Sequence, residues 1–215
     1  MKLDKLGLPE VLLSSVKQAA REAKEDHFFV ARTIDLDHEP VEVYLGFQEH
    51  SIGHWVPDLL GLSLQRDRNN AMHENTFFLL PDKEFSVKEA YNMMKGRAVH
   101  RSAGEEDYWM KLNTQRLFHG ITMPEMLRSD LNVGRWLEGS PLAERLDAGQ
   151  KKEVVSALEA GERVDLGVLL GRKERGLYLH TNPEANKVEV RDGNRQVLNM
   201  KDVIQQPSPT LSHRK

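Results

Sequence analysis

Phe85-Ser86-Val87-Lys88-Glu89-Ala90-Tyr91-Asn92-Met93-Met94-Lys95-Gly96-Arg97-Ala98-Val99 decides how the rest of this chain is read. Ser86 followed three residues later by Glu89 is a capping box. The hydroxyl can accept a hydrogen bond from a first-turn N–H while the carboxylate reaches back to the cap. Val87, Ala90, Tyr91 and Met94 then recur on one side of the helix that the cap opens. Gly96 supplies a left-handed stop. Residues 98–102 and 108–113 read as two strands around Ala103-Gly104-Glu105-Glu106, so the spacing predicts a helix–strand–strand unit.

The same order recurs downstream. Residues 152–158 are helical in pattern and stop at Gly161; Val164, Leu166, Val168 and Leu170 alternate as a strand; residues 171–176 turn the chain and 177–180 return it. The two stretches share Lys88-Glu89 and Lys152-Glu153, Gly96 and Gly161, Arg97 with Val99 and Arg163 with Val164, Tyr108 and Tyr178, and Asn113 and Asn182. Duplication of one α-β-β unit accounts for these matches, and so does chance recurrence of a common helix–Gly–hairpin pattern. Lys187-Val188-Glu189-Val190-Arg191 alternates, Asp192-Gly193 is a hairpin turn signal, and residues 195–200 are expected to pair back. From Gln205 onward the composition shifts to Gln, Pro, Ser and basic residues, which predicts a disordered tail.

Upstream, Pro9 suits a first helical turn, followed by Leu12, Leu13, Val16, Ala19, Ala20 and Ala23 at helical spacing. A strand is expected over 27–33 and another over Val41, Val43, Leu45 and Phe47, which alternate with Glu42, Tyr44 and Gly46. Residues 55–60 read as a buried turn or short helix, 66–70 as a polar loop, and 76–80 as a strand ended by Pro81-Asp82. Residues 124–128 and 133–137 are helical candidates, and Ser140-Pro141 opens a turn. The expected fold is α+β: an N-terminal α-β-β region over 1–82, then a duplicated helix-plus-β-hairpin domain with antiparallel sheet over 83–203, then a tail over 204–215.

Composition limits the function classes. The 215 residues are 39% hydrophobic and 29% charged, enough apolar material for a core under a solvated surface. Thirty Lys and Arg against 33 Asp and Glu give a net charge of −3, which excludes a polybasic coat or an acidic decoy as a description of the whole chain and leaves room for a local patch. The absence of cysteine excludes disulfides, cysteine-ligated zinc and thiol chemistry. No apolar run approaches the ~18–20 residues of a membrane helix, and Met1-Lys2-Leu3-Asp4-Lys5 has no signal-peptide pattern. The expectation is a cytoplasmic protein with no membrane partner and no cofactor.

The segment from Phe85 to Val99 resembles the pattern F-S-x-K-E-A-Y-x-x-x-x-G-R-A-V of an uncharacterised family found in proteins of Bacteroidetes conjugative and mobile elements, sometimes fused to a type IA DNA topoisomerase. Tyr108-Trp109-Met110-Lys111-Leu112-Asn113 is similar to its Y-x-x-W-x-x-L-D strand, with the Trp shifted and Asn113 in place of the acid. Leu158-Glu159-Ala160-Gly161 is similar to its L-x-x-G helix end, and Asn182-Pro183 through Val190 to its A-N-P-x-x-x-x-I-x-V stretch. The resemblance covers residues 83 to 200 and implies a non-enzymatic accessory protein of a mobile genetic element, binding DNA or a host or element protein in DNA handling or element protection. No toprim-like Glu with Asp-x-Asp and no catalytic tyrosine context accompanies it.

Two residue clusters carry chemistry. Arg97, Arg101, Arg172, Lys173, Arg175, Arg191 and Arg195 stand at strand starts or hairpin turns, and packing of the two units as a pseudo-repeat would gather several on one rim. Such a rim neutralises phosphates while Trp109, Tyr108 or Tyr178 stacks on bases. Glu105, Glu106, Asp107, Glu174, Glu189 and Asp192 are interleaved with these cations, so a plain solvated surface is the competing reading. The second cluster is Asp35, Asp37, His38, Glu49, His50 and His54, ligand types that suit zinc, manganese or iron. Gly53 interrupts any helix that would align His50 with His54, and the His-Glu-x-x-His order is absent. A metal-dependent hydrolase using this region and a protein-interaction or inhibitor module without nucleic-acid contact are the two rivals. Nucleophile elbows and phosphate loops are absent from the sequence.

Overall fold

The computed structural model describes residues 6–66, 71–78, 85–103, 106–118, 121–170 and 176–205. Its order is α1 (Glu10–Glu22), β1 (His27–Leu36), β2 (Glu39–Ser51), β3 (His54–Arg66), β4 (Ala71–Phe78), α2 (Val87–Met94), β5 (Val99–Ala103), β6 (Glu106–Phe118), β7 (Ile121–Leu127), α3 (Val133–Glu138), α4 (Ala148–Glu159), β8 (Val164–Asp165), α5 (Leu166–Leu169), β9 (Tyr178–Asn182), a 3-10 turn (Pro183–Ala185), β10 (Lys187–Arg191), β11 (Val197–Leu198) and α6 (Met200–Gln205). The fold is α+β with antiparallel sheets, an N-terminal helix preceding the strands. Three sheets form, with orders β1-β2-β3-β4, β5-β6-β7 and β11-β10-β9-β8. No described helix is long and apolar enough to cross a membrane.

The chain folds as two compact units, one from Met1–Gly96 with Leu112–Glu125 and one from Arg97–Lys111 with Met126–Lys215. These limits differ from a division at residues 82 and 83, because α2 belongs with the four-stranded sheet and not with the hairpin that follows it.

In the first unit, alternation sets the register of long strands. Val30, Leu45, Leu60 and Phe77 face one another across β1 to β4 and are buried. Leu12 and Val16 of α1 are fully buried in the same unit. Residues 55–60, read above as a turn or short helix, belong to β3; Pro57 is tolerated because the ladder shifts register between Gly46 and Phe47, where Phe47 pairs with Pro57. Gly46 is closely packed: a Cβ there would lie 3.0 Å from Asp58 Oδ1 and from the Phe29 ring and 3.1 Å from the Leu59 Cβ. Asn75 is buried, and its side chain both donates to the Thr122 carbonyl (3.0 Å) and accepts from the Thr122 N–H (2.9 Å). The predicted cap of α2 is present: Glu89 N–H donates to Ser86 Oγ (3.2 Å), and Ser86 N–H donates to Glu89 Oε2 (2.8 Å).

In the second unit, Trp109, Leu137, Leu142, Val154, Leu158, Leu166, Leu179 and Val190 form one buried cluster. Helix α4 opens with its own capping box, Asp147 with Gln150. Two expectations fail here and in β7. Residues 124–127 are not helical but belong to β7, and Arg128 follows the end of the strand. Residues 164–170 do not form one strand: after two strand residues, Asp165 accepts from the N–H groups of Gly167 (2.7 Å) and Val168 (3.1 Å), and this cap starts α5. The inserted helix also separates this unit from a simple copy of the α2-β5-β6 order. Residues 195–200 pair back over only Val197 and Leu198 before α6 begins. The tail expected over 204–215 begins too early, because Ile204 and Gln205 belong to α6 and Ile204 is buried; residues 206–215 lie outside the described residues.

Candidate functional site

The β9–β10 ladder assembles a polar face in the second unit. Tyr178 stands opposite Arg191, His180 opposite Glu189, and Asn182 opposite Lys187. Side chains alternate along a strand, so these six share one face. Leu179, Val188 and Val190 take the other face and enter the core. The same alternation in Tyr178-Leu179-His180-Thr181-Asn182 and Lys187-Val188-Glu189-Val190-Arg191 is visible in the sequence, and it is the local signal that places His180 and Glu189 together.

Arginines from separate parts of the chain converge on this face. Arg163, just before β8, sets its guanidinium 4.6 Å from the Tyr178 ring centroid, a cation–π contact. Burial lowers the Arg163 pKa, and the charges of Arg97, Arg195 and Arg191 lower it further, opposed by Tyr178. Arg97 is buried at 6% exposure. Arg195 takes φ +67° in the β10–β11 turn. His180 is pushed down to about 4, first by burial, then by the cations of Arg191 and Arg163, with Glu189 opposing and Arg97 adding. The imidazole is therefore neutral near pH 7.

Among the described residues, Glu189 is the acid buried within this face. Its carboxylate accepts from Arg191 Nε (2.9 Å) and Nη2 (2.6 Å) and from Asn182 Nδ2 (2.9 Å), with Lys187 Nζ at 3.1 Å. Burial pushes its pKa up, but the hydrogen bonds from Arg191, Asn182 and Lys187 outweigh burial and hold it at about 2. Asp165, opposite Tyr178, is occupied by its helix cap. Among the described residues this face brings Arg163, Arg191 and Lys187 together, with Arg195 in the turn beside them; the guanidinium of Arg163, held on an aromatic ring, and that of exposed Arg195 suit an anion with several oxygens.

The residues nominated from sequence fare differently. Arg97 joins the face. Arg101 lies in β5 cross-strand from Tyr108 and is not among the strongest influences on His180 or Arg163. Trp109 cannot stack on a base: it is 1% exposed, and its indole N–H donates to the Leu131 carbonyl (3.3 Å). Arg172, Lys173 and Arg175 lie outside the described residues. Arg163, His180 and Glu189 were not singled out as site residues by sequence.

The proposed metal ligands do not meet. Asp37 and His38 occupy the β1–β2 turn with φ +53° and +64°, whereas His50 and His54 flank the β2–β3 turn, their ring centroids 6.3 Å apart. The thirteen residues of β2 separate the two turns by roughly 40 Å at ordinary strand rise. Glu49 Oε1 instead accepts the Gly53 N–H at 2.6 Å. Among the described residues no group of three or more His, Asp or Glu is placed to hold a metal ion. No family model, curated protein or solved structure matches this chain.

Proposed function

We propose that this protein binds DNA through the arginine face of its second unit, as a non-enzymatic accessory factor. One observation carries the reading. Arg97, Arg163, Arg191 and Arg195, from three separate stretches of chain, act on one another or on His180 across the polar face of β9 and β10. The exposed guanidiniums of Arg163 and Arg195 can each grip phosphate oxygens with two N–H donors, while buried Arg97 and Glu189-bound Arg191 add positive charge behind them. The resemblance of residues 83 to 200 to mobile-element proteins supports DNA as the source of those phosphates and DNA handling as the setting.

The test is fluorescence anisotropy of the full chain with labelled DNA at about 50 and 200 mM salt, since phosphate contacts make affinity fall steeply over that range. Arg163→Gln and Arg195→Gln, both at exposed positions, are expected to weaken binding and flatten the salt slope, while Arg21→Gln on α1 changes neither. Binding that ignores salt, or that survives both arginine substitutions unchanged, would count against the reading.

A further inference from the structure

Strand β11 pairs with β10 only at Val190 and Arg191, so the earlier half of β10 has no described strand on that side. Asp192 N–H donates to the Gln196 carbonyl (3.0 Å), which fixes the side of the ladder to which residue 192 points. In an antiparallel ladder every second residue directs both N–H and C=O to the same side. Val190 and then Val188 follow, and Val188 presents its peptide group where β11 has already ended.

That edge borders a cleft of ≈ 590 Å³, within the range of about 300–1,000 Å³ typical of small-ligand sites. Trp136, Val190, Leu198 and Met200 supply its apolar wall, and Trp136 is half-buried, with part of its ring left to the cleft. Arg135, Lys187 and Lys201 stand around it. Lys187 is engaged by Glu189, whereas Arg135 and Lys201 have no carboxylate partner among the described residues.

We infer that this cleft is a base-binding subsite and that the protein takes single-stranded DNA in preference to duplex, one unstacked base lying against Trp136 and its flanking phosphates on the surrounding cations. The inference deepens the DNA-binding reading above and rests on it. An indole face offers stacking, which any base can use. The Val188 N–H and C=O offer a donor and an acceptor side by side, matching the mixed edge of a base; a simple aliphatic anion would leave both unpaired. Position joins the two subsites. Lys187 and Glu189 line the cleft, while Glu189 and Arg191 belong to the arginine face. Neighbouring strands are about 4.8 Å apart, so a path across the sheet from Arg163 by β8 to Lys201 just after β11 has the length of two or three nucleotides. Bases in a duplex are stacked and paired, and cannot enter the cleft without being extruded.

Anisotropy with a labelled 12-residue single strand and with its duplex, on the full chain, tests this. The single strand is expected to bind about tenfold more tightly, and Trp136→Leu to remove about that factor for the single strand while leaving the duplex unchanged. Because Trp136 also packs on the core, the exposed pair Arg135→Gln with Lys201→Gln is the second variant; it should likewise reduce the ratio of single-strand to duplex affinity. Equal affinity for the two forms, or a ratio that survives both variants, would overturn the subsite and leave DNA binding by the arginine face standing. Absence of binding to either form at low salt would overturn both readings.

Discussion

Arg191 donates two hydrogen bonds to Glu189, from Nε at 2.9 Å and from Nη2 at 2.6 Å, although the two residues are neighbours but one on the same strand. The pair folds back along β10 because both side chains leave the same face of the pleat. Glu189 is 6% exposed, so its charge persists there only because Arg191, Lys187 and Asn182 surround it. Glu189→Gln would keep the volume and remove the charge, leaving Arg191 beside Arg163 and Arg97 without its counter-ion. A broken buried pair costs about 3–5 kcal/mol, reduced here to about 2–3 because Arg191 and Lys187 keep contact with solvent. Urea denaturation of the variant measures this, and a loss under 0.5 kcal/mol, taken as roughly the scatter of surface substitutions, would refute it. The folded variant should also bind DNA more tightly at low salt, having one fewer negative charge in the face.

Acid should unfold the second unit in two joined stages. His180 titrates at about 4 in the fold against an ordinary 6.5, so the folded state binds fewer protons than the unfolded chain between those values. Stability therefore rises with pH across that window and is lost as pH falls through it. Glu189, at about 2 against 4.5, continues the loss at lower pH for the same reason. The His180 part amounts to about 3 kcal/mol at most. Denaturation midpoints at pH 7, 5.5 and 4 give the slope, and His180→Gln should flatten it above about pH 4.5 while the Glu189 part remains. A midpoint that does not move between pH 7 and pH 4 would contradict this account.

Trp109 predicts a separation of stability from binding. Trp109→Ala empties a fully buried site and is expected to cost about 3–5 kcal/mol. Trp109→Phe keeps most of the packing and loses the indole bond to the Leu131 carbonyl, at about 1–2 kcal/mol. At a temperature where the phenylalanine variant is folded, its DNA affinity should equal that of the unaltered protein. An affinity loss in folded Trp109→Phe would return this residue to the binding surface.

Local chemistry explains what the sequence revealed of the fold. The Ser86–Glu89 box and the alternation Val41, Val43, Leu45 act over a few residues, and both structures formed as expected. Residues 164–170 misled because apolar alternation is also what a short capped turn of helix can show; Asp165 decides between them through two backbone bonds. Residues 55–60 and 124–128 were expected as turn or helix, yet Pro57 and Pro124 each lie in a strand, Pro57 where the ladder shifts register. The arginine face was only half legible. The period of two in β9 and β10 was present, but nothing local tells that Arg97 and Arg163 approach the same histidine, since that proximity is made by tertiary packing.

The way the backbone is shared between the two units limits how either can be isolated. Residues 97–111 leave the first unit's stretch of sequence to complete the second, and 112–125 return before the second resumes. A fragment starting at residue 126 would lack Ala98 and Trp109 and so part of its hydrophobic centre. One ending at residue 96 would lack Thr122, the partner that satisfies the buried Asn75 amide. No single cut leaves both units whole: a cut after residue 125 spares the first and a cut before residue 97 spares the second, so during synthesis the first unit is complete only after a segment belonging to the second has been made.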